Sequence, residues 1–181
     1  MKPWVILCGL LITTGSQAAE PAPGAAAPLV KLAAPAGMIK LDGRPAPALK
    51  LTDLDGKKVD LAQSHGRWAL VHFWATWCGP CRREMPTLAQ LMQALPAERL
   101  SVVLVNTAES EDEVFAFLAS VSPELGTLLD RDGQVTERWQ PRGLPASFLV
   151  DPQGRLRYLV LGGREWASGA YLNFLRELTA K

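Results

Sequence analysis

The sequence predicts an α/β fold, a central mixed sheet flanked by helices with an added N-terminal β-hairpin, and three observations carry that prediction. Two nearly continuous apolar runs, residues 70–74 and 100–106, read as strands covered on both faces. Apolar residues recur at helical spacing between and after them, and strand–helix alternation implies a parallel portion of the sheet. Near the C-terminus a tight turn joins two further apolar runs, which implies antiparallel strands there.

Taken in chain order, the first element is a hairpin. Asp55-Gly56 lies between the apolar positions of residues 52–59, and Asp-Gly there is a strong hairpin-turn signal. The strand over 70–74 follows. Leu88, Leu91, Met92 and Leu95 then give a core-facing helical stripe before the strand over 100–106. Val114, Phe117, Leu118 and Val121 do the same for a second helix. Asp151-Pro152-Gln153-Gly154 has the residues of a type I turn joining 148–150 to 156–160, and Tyr171, Phe174, Leu175 and Leu178 make a last amphipathic helix.

The 181-residue chain suits one domain with its own core. Its 19 Lys and Arg nearly balance 18 Asp and Glu, so nothing points to a nucleic-acid partner. A basic start, an apolar stretch from Trp4 to Ile12 and the small-x-small site Ser16-Gln17-Ala18 read as a secretory signal peptide over 1–18. The apolar stretch falls short of the roughly 20 residues a membrane span needs. An uncleaved, membrane-anchored N-terminus is the alternative. Ala and Pro dominate the following residues, so 19–42 is expected to be a flexible linker and 43–181 the domain.

Cleavage after Ala18 would remove Cys8 and leave Cys78 and Cys81, in the run Trp77-Cys78-Gly79-Pro80-Cys81. Their loop is too small to staple a fold, which favours redox chemistry over a structural disulfide. The run follows a strand and opens a helix. A Cys at a helix start meets unpaired backbone N–H groups and the positive end of the macrodipole, both of which favour thiolate. Cys78 is thus the expected nucleophile, exposed in the first turn, and Cys81 the more buried resolving thiol.

The segment from Phe73 through Trp77-Cys78-Gly79-Pro80-Cys81 to Glu84-Met85-Pro86 resembles the active-site signature of thioredoxin-fold proteins of the TlpA/ResA type, extracytoplasmic thiol-disulfide oxidoreductases of bacteria. A second match, Gly143-Leu144-Pro145 through Asp151, resembles the family strand that begins at a cis-proline beside the cysteines. The resemblance implies a thioredoxin-like fold and a cis bond at Pro145 that presents the Leu144 backbone to an extended substrate. It also implies a role for Glu84 near the thiols. A partly buried carboxylate there would accept the proton Cys81 loses, whereas the plainer reading is a solvated residue paired with Arg82 or Arg83. Gly79-Pro80 is the dipeptide of thioredoxin and favours a reductant. Trp77 is expected to border the substrate groove and Trp74 to lie beneath it, with Trp139 and Trp166 either core or rim. Arg164 and Glu165 read as capping and surface charges of the last helix.

His72 departs from the pattern, since thioredoxins carry a buried aspartate at this position. It is either a base or hydrogen-bond partner, or a neutral core histidine. The expected activity is exported thiol-disulfide exchange. What the resemblance implies is reduction of disulfides in protein partners of the cytochrome c maturation or oxidase copper-site assembly kind, with a membrane thiol donor of the DsbD/CcdA type. No cofactor or metal is expected beyond the redox-active cysteine pair, and a monomer is the default. The alternatives are a disulfide oxidant or isomerase, a copper-handling chaperone using the Cys pair, and a zinc clip formed with His65 and His72.

Overall fold

The computed structural model describes Met1 and residues 33–180. The signal-peptide reading, Cys8 and most of the linker reading lie outside the described residues. Eight strands form one mixed sheet: β1 (Met38–Lys40), β2 (Lys50–Asp53), β3 (Lys58–Asp60), β4 (Trp68–Trp74), β5 (Leu100–Thr107), β6 (Leu128–Asp130), β7 (Ala146–Val150) and β8 (Leu156–Leu161), in the order β1-β8-β7-β4-β5-β6-β2-β3. Four helices cover it: α1 (Gly79–Ala94), α2 (Glu111–Val121), α3 (Gln134–Trp139) and α4 (Gly169–Leu178).

The centre of the sheet is β4, parallel to β5 and antiparallel to β7. Its alternation divides the core. Leu70, His72 and Trp74 share one face with Trp68, and Leu70 and Trp74 belong to the cluster built with Cys81, Met85, Leu88 and Leu91 of α1 and Phe174 and Leu175 of α4. Ala69, Val71 and Phe73 point the other way, into a cluster with Trp139 of α3, Phe148 and Leu156. There Phe73, Trp139 and Phe148 meet as an aromatic trio with centroids 5.2–6.0 Å apart.

The expected hairpin is β2–β3. Asp53 Oδ1 accepts the N–H groups of Asp55 and Lys57, and Gly56 takes the positive φ of +78° that the turn requires. The hairpin joins the sheet by pairing β2 with β6. The β7–β8 hairpin turns at Asp151, whose Oδ1 accepts from Gln153 and Arg155.

Three expectations change, and one open alternative is resolved. The sheet starts at Met38, because β1 pairs with β8 inside the segment expected to be linker over 19–42. Met92 is exposed: on α1 it lies at the edge of the arc defined by Leu88, Leu91 and Leu95, and only those three are buried. Trp139 and Trp166 are both core, at 1% and 0% exposure. Neither Arg164 nor Glu165 caps α4, whose N-cap is Ser168.

Candidate active site

Buried β4 delivers the chain into the loop Ala75-Thr76-Trp77, which leads directly to α1. Cys78 is the N-cap of α1, and its Sγ accepts the Cys81 N–H at 3.3 Å, so the sulfur takes the place a capping oxygen fills elsewhere. Pro80 lies in the first turn, where its missing N–H costs nothing. Cys78 and Cys81 are joined in a disulfide. The expected order of burial holds, with Cys81 at 0%, but Cys78 is itself only 4% exposed rather than open to solvent. Trp77 is the exposed residue of the motif, at 70%, and Trp74 lies fully buried beneath.

The Leu144–Pro145 peptide bond is cis. Pro145 opens β7, and its carbonyl accepts the Gly162 N–H at 2.8 Å. The residues after β8 then connect the site in succession. Gly162 binds Pro145; Gly163 lies so close to Pro80 that a Cβ there would come within 3.2 Å of the Pro80 carbonyl oxygen; the Arg164 N–H donates to Glu84 Oε2 at 2.9 Å. Leu144, half-buried, packs on both core clusters. Through Gly162-Gly163-Arg164 the structure thus ties Pro145 of the β7 entry to Pro80 and Glu84 at the start of α1, beside Cys78 and Cys81. Sequence reasoning missed the Gly162-Gly163-Arg164 segment that does so. The adjacent Gly-Gly pair after an apolar run was the available signal.

Glu84 is not a solvated helix residue. It is 2% exposed, and its Oε2 accepts from Arg164 N–H and from the Trp166 indole N–H at 3.1 Å. Its Oε1 faces His72 Nε2 at 3.3 Å. Because α1 repeats every 3.6 residues, Glu84 shares the buried side of the helix with Cys81. His72, fully buried, binds Ser147 Oγ through Nδ1 at 2.7 Å. A groove of about 230 Å³ lined by Pro80, Arg83, Glu84, Gly163, Arg164 and Glu165 opens beside this arrangement.

A second carboxylate, unmarked in the sequence, secures the other side of the motif. Glu109, between β5 and α2, accepts the Thr76 N–H at 2.7 Å and the Asn106 side-chain amide at 2.6 Å, and also receives the Thr76 hydroxyl. Thr76 stands two residues before Cys78. The zinc-clip alternative places its ligands apart: His65 lies against Gly154 in the β7–β8 turn, while His72 is under α1. Among the described residues, no three His, Cys, Asp or Glu side chains gather as a metal site.

A cysteine disulfide at the N-terminus of a helix, flanked by a cis-proline strand, is the arrangement the sequence led us to expect, and comparison with known proteins agrees. Residues 43–159 match the AhpC/TSA family. The chain belongs to that family. Among its relatives, the thiol-disulfide oxidoreductase ResA of Bacillus subtilis strain 168 is 33% identical over 121 residues, covering 67% of this chain and 68% of ResA. A Chlorobium tepidum crystal structure described as a thiol:disulfide interchange protein DsbE superposes with a TM-score of 0.69 at 31% identity, over 76% of this chain and 96% of that one. The thioredoxin domain of a Bacteroides vulgatus thiol-disulfide oxidoreductase gives 0.66 at 27%, with the same coverage. Within the AhpC/TSA family this chain is therefore a thiol-disulfide oxidoreductase of the ResA type with a thioredoxin-like fold.

Proposed function

We propose that the protein is an exported reductant of disulfides in specific protein partners. The observation that carries the chemistry is the placement of Cys78 Sγ at the N-cap of α1, accepting the Cys81 N–H. Once the pair is reduced, that N–H and the helix dipole stabilise a Cys78 thiolate. The thiolate attacks one sulfur of a partner disulfide, forming a Cys78–partner bond and releasing the other partner sulfur with the bonding electrons. Cys81, deprotonated by Glu84, then attacks Cys78; the Cys78–Cys81 bond forms and the second partner sulfur leaves as a thiolate. The partner gains two electrons, and a membrane thiol donor of the DsbD/CcdA type restores the dithiol. Trp77, Gly79, Pro80, Leu144 and Pro145 form the docking edge, where an extended partner segment pairs with the Leu144 backbone.

The reducing direction rests on the Gly79-Pro80 dipeptide shared with thioredoxin, and export rests on the N-terminal sequence. The choice between reductant and oxidant spans roughly 150 mV, about 7 kcal/mol for two electrons. An equilibrium redox titration of the chain from Ala19 onward, followed by Trp fluorescence in dithiothreitol buffers, decides it. The expected value is near that of thioredoxin, about −270 mV, and a value near −120 mV, as in DsbA, would make the protein an oxidant. Cytochrome c maturation and oxidase copper-site assembly are the partner systems to try first, because the family resemblance points there.

A further inference from the structure

The buried His72–Glu84 pair is left without a task by dithiol exchange as described so far, except that Glu84 takes a proton. Its geometry is unusual. Glu84 Oε2 is saturated by the Arg164 N–H and the Trp166 indole, both donors, so any proton on this carboxyl must sit on Oε1. That atom and His72 Nε2 are buried, have no hydrogen-bond partner elsewhere, and face each other at 3.3 Å. On the far side of the ring, Ser147 Oγ occupies Nδ1. With Nδ1 protonated towards Ser147, two lone pairs confront each other across the gap. One added proton satisfies both and leaves a pair of zero net charge, the arrangement burial favours.

We propose that His72 is a positioning residue for the resolving step: with Glu84 it forms a buried one-proton site that takes the proton given up by Cys81, His72 acting through Glu84. The inference rests on the dithiol-exchange reading and adds to it the residue that makes the acceptor work. Cys81 loses its S–H proton to the Oε1–Nε2 gap, and the electron pair left on its sulfur forms the bond to Cys78. The Cys78–partner bond breaks, and the departing partner sulfur keeps those electrons and takes a proton from water. The site later returns its own proton to water, so protons and electrons balance. Placement is set by both neighbours of the ring: Ser147 stands opposite His72 in the β4–β7 register and two residues after Pro145, while Glu84 stands one turn after Cys81. The other buried titratable groups on the surrounding elements are Cys78 and Cys81 at the start of α1, Tyr158 on β8 and Tyr171 on α4; Arg82 and Arg83 of α1 and Arg176 and Glu177 of α4 are exposed, and Arg157 of β8 and the Arg164 guanidinium are half-buried. The last is turned to the Tyr171 hydroxyl and the Gly163 carbonyl. From β5 the residue opposite His72 is the neutral Leu104.

The test is the single-turnover reaction of reduced protein with oxidised glutathione, acid-quenched and read by mass. Glutathionylated protein appears as Cys78 attacks and disappears as Cys81 resolves it. His72→Asn keeps a hydrogen-bonding side chain but no titrating nitrogen. It is expected to slow resolution about 100-fold at neutral pH, the lower end of what a proton-transfer group contributes, and to flatten its pH profile while leaving the attack phase unchanged. Glu84→Gln is expected to do the same, and the double variant to add nothing. Resolution in His72→Asn that superimposes on the wild type at every pH overturns the proposal. Failure of glutathionylation in a Cys81→Ser variant would instead overturn the exchange reading itself. A second measurement needs no change at His72: the chain has two histidines, so His65→Gln leaves one imidazole to follow by ¹⁵N NMR. Its nitrogen signals are expected to differ between oxidised and reduced protein, and identical signals from about pH 5 to about 9 overturn the proposal.

Discussion

Around Glu109 the Thr76 N–H, the Thr76 hydroxyl and the Asn106 side-chain amide all donate to the carboxylate oxygens. Replacing it with Gln would turn an NH₂ group towards one of those donors. Glu109→Gln is expected to cost about 2 kcal/mol of stability in urea denaturation, the range for a lost bond to a charged group. It should also slow attack by Cys78 by up to about 100-fold, because Thr76 sets the entry into the Cys78 turn. An unchanged attack rate in a destabilised protein would reduce Glu109 to a fold-stabilising role. This residue was invisible in the sequence for a physical reason: its partner Thr76 is 33 positions away, and no local pattern encodes that contact. His72 was visible as an odd residue in an apolar strand, but its partner was not, since Ser147 lies 75 positions away. Cys78 and Cys81 were legible because their chemistry is local, three residues apart at a helix start.

Elements were legible in proportion to their length and to how closed their hydrogen bonding is. The Asp55-Gly56 turn, the stripe of α4 and the Asp151-Gly154 turn each specify themselves within a few residues, and all three form as expected. β6 has only three residues, and α3 shows only Val135 and Trp139 as its buried stripe, too little for a period to emerge. β1 hid inside Ala- and Pro-rich surroundings because a three-residue edge strand owes its existence to β8. Its removal has a definite consequence. Met38, Ile39 and Lys40 pair with Val160, Leu159 and Tyr158, and the Ala36 carbonyl accepts the Tyr171 hydroxyl of α4. A chain starting at Gly43 loses all of these and opens an edge over the buried Tyr158 and Val160. Its thermal midpoint is expected to fall several degrees below that of a chain starting at Ala33, at about 2–4 °C per kcal/mol for a domain of this size. Equal midpoints would return 38–42 to the linker.

The whole molecule carries its redox direction as a stability difference. Folded and unfolded, oxidised and reduced chains form a closed cycle, so the stability gained by the fold on closing Cys78–Cys81 equals the difference between the potential of the folded pair and that of the unfolded one. About 30 mV corresponds to 1.4 kcal/mol for two electrons. A fold that makes the pair more reducing must therefore be more stable oxidised than reduced; a fold that makes it oxidising must be more stable reduced, as DsbA is. Two features of this architecture act in opposite directions. The helix N-terminus and the Cys81 N–H at Cys78 Sγ favour a thiolate and so the reduced state. The fully buried Cys81, in an apolar cluster with Trp74, Met85 and Trp166, penalises a second charge and favours the closed disulfide. If the reductant reading holds, burial outweighs the dipole, and the oxidised protein unfolds at a higher urea concentration than the protein kept in dithiothreitol. The reverse order of midpoints would show the dipole winning and make the protein a disulfide donor. Urea unfolding of the two forms thus reads the direction of electron flow without knowledge of the partner.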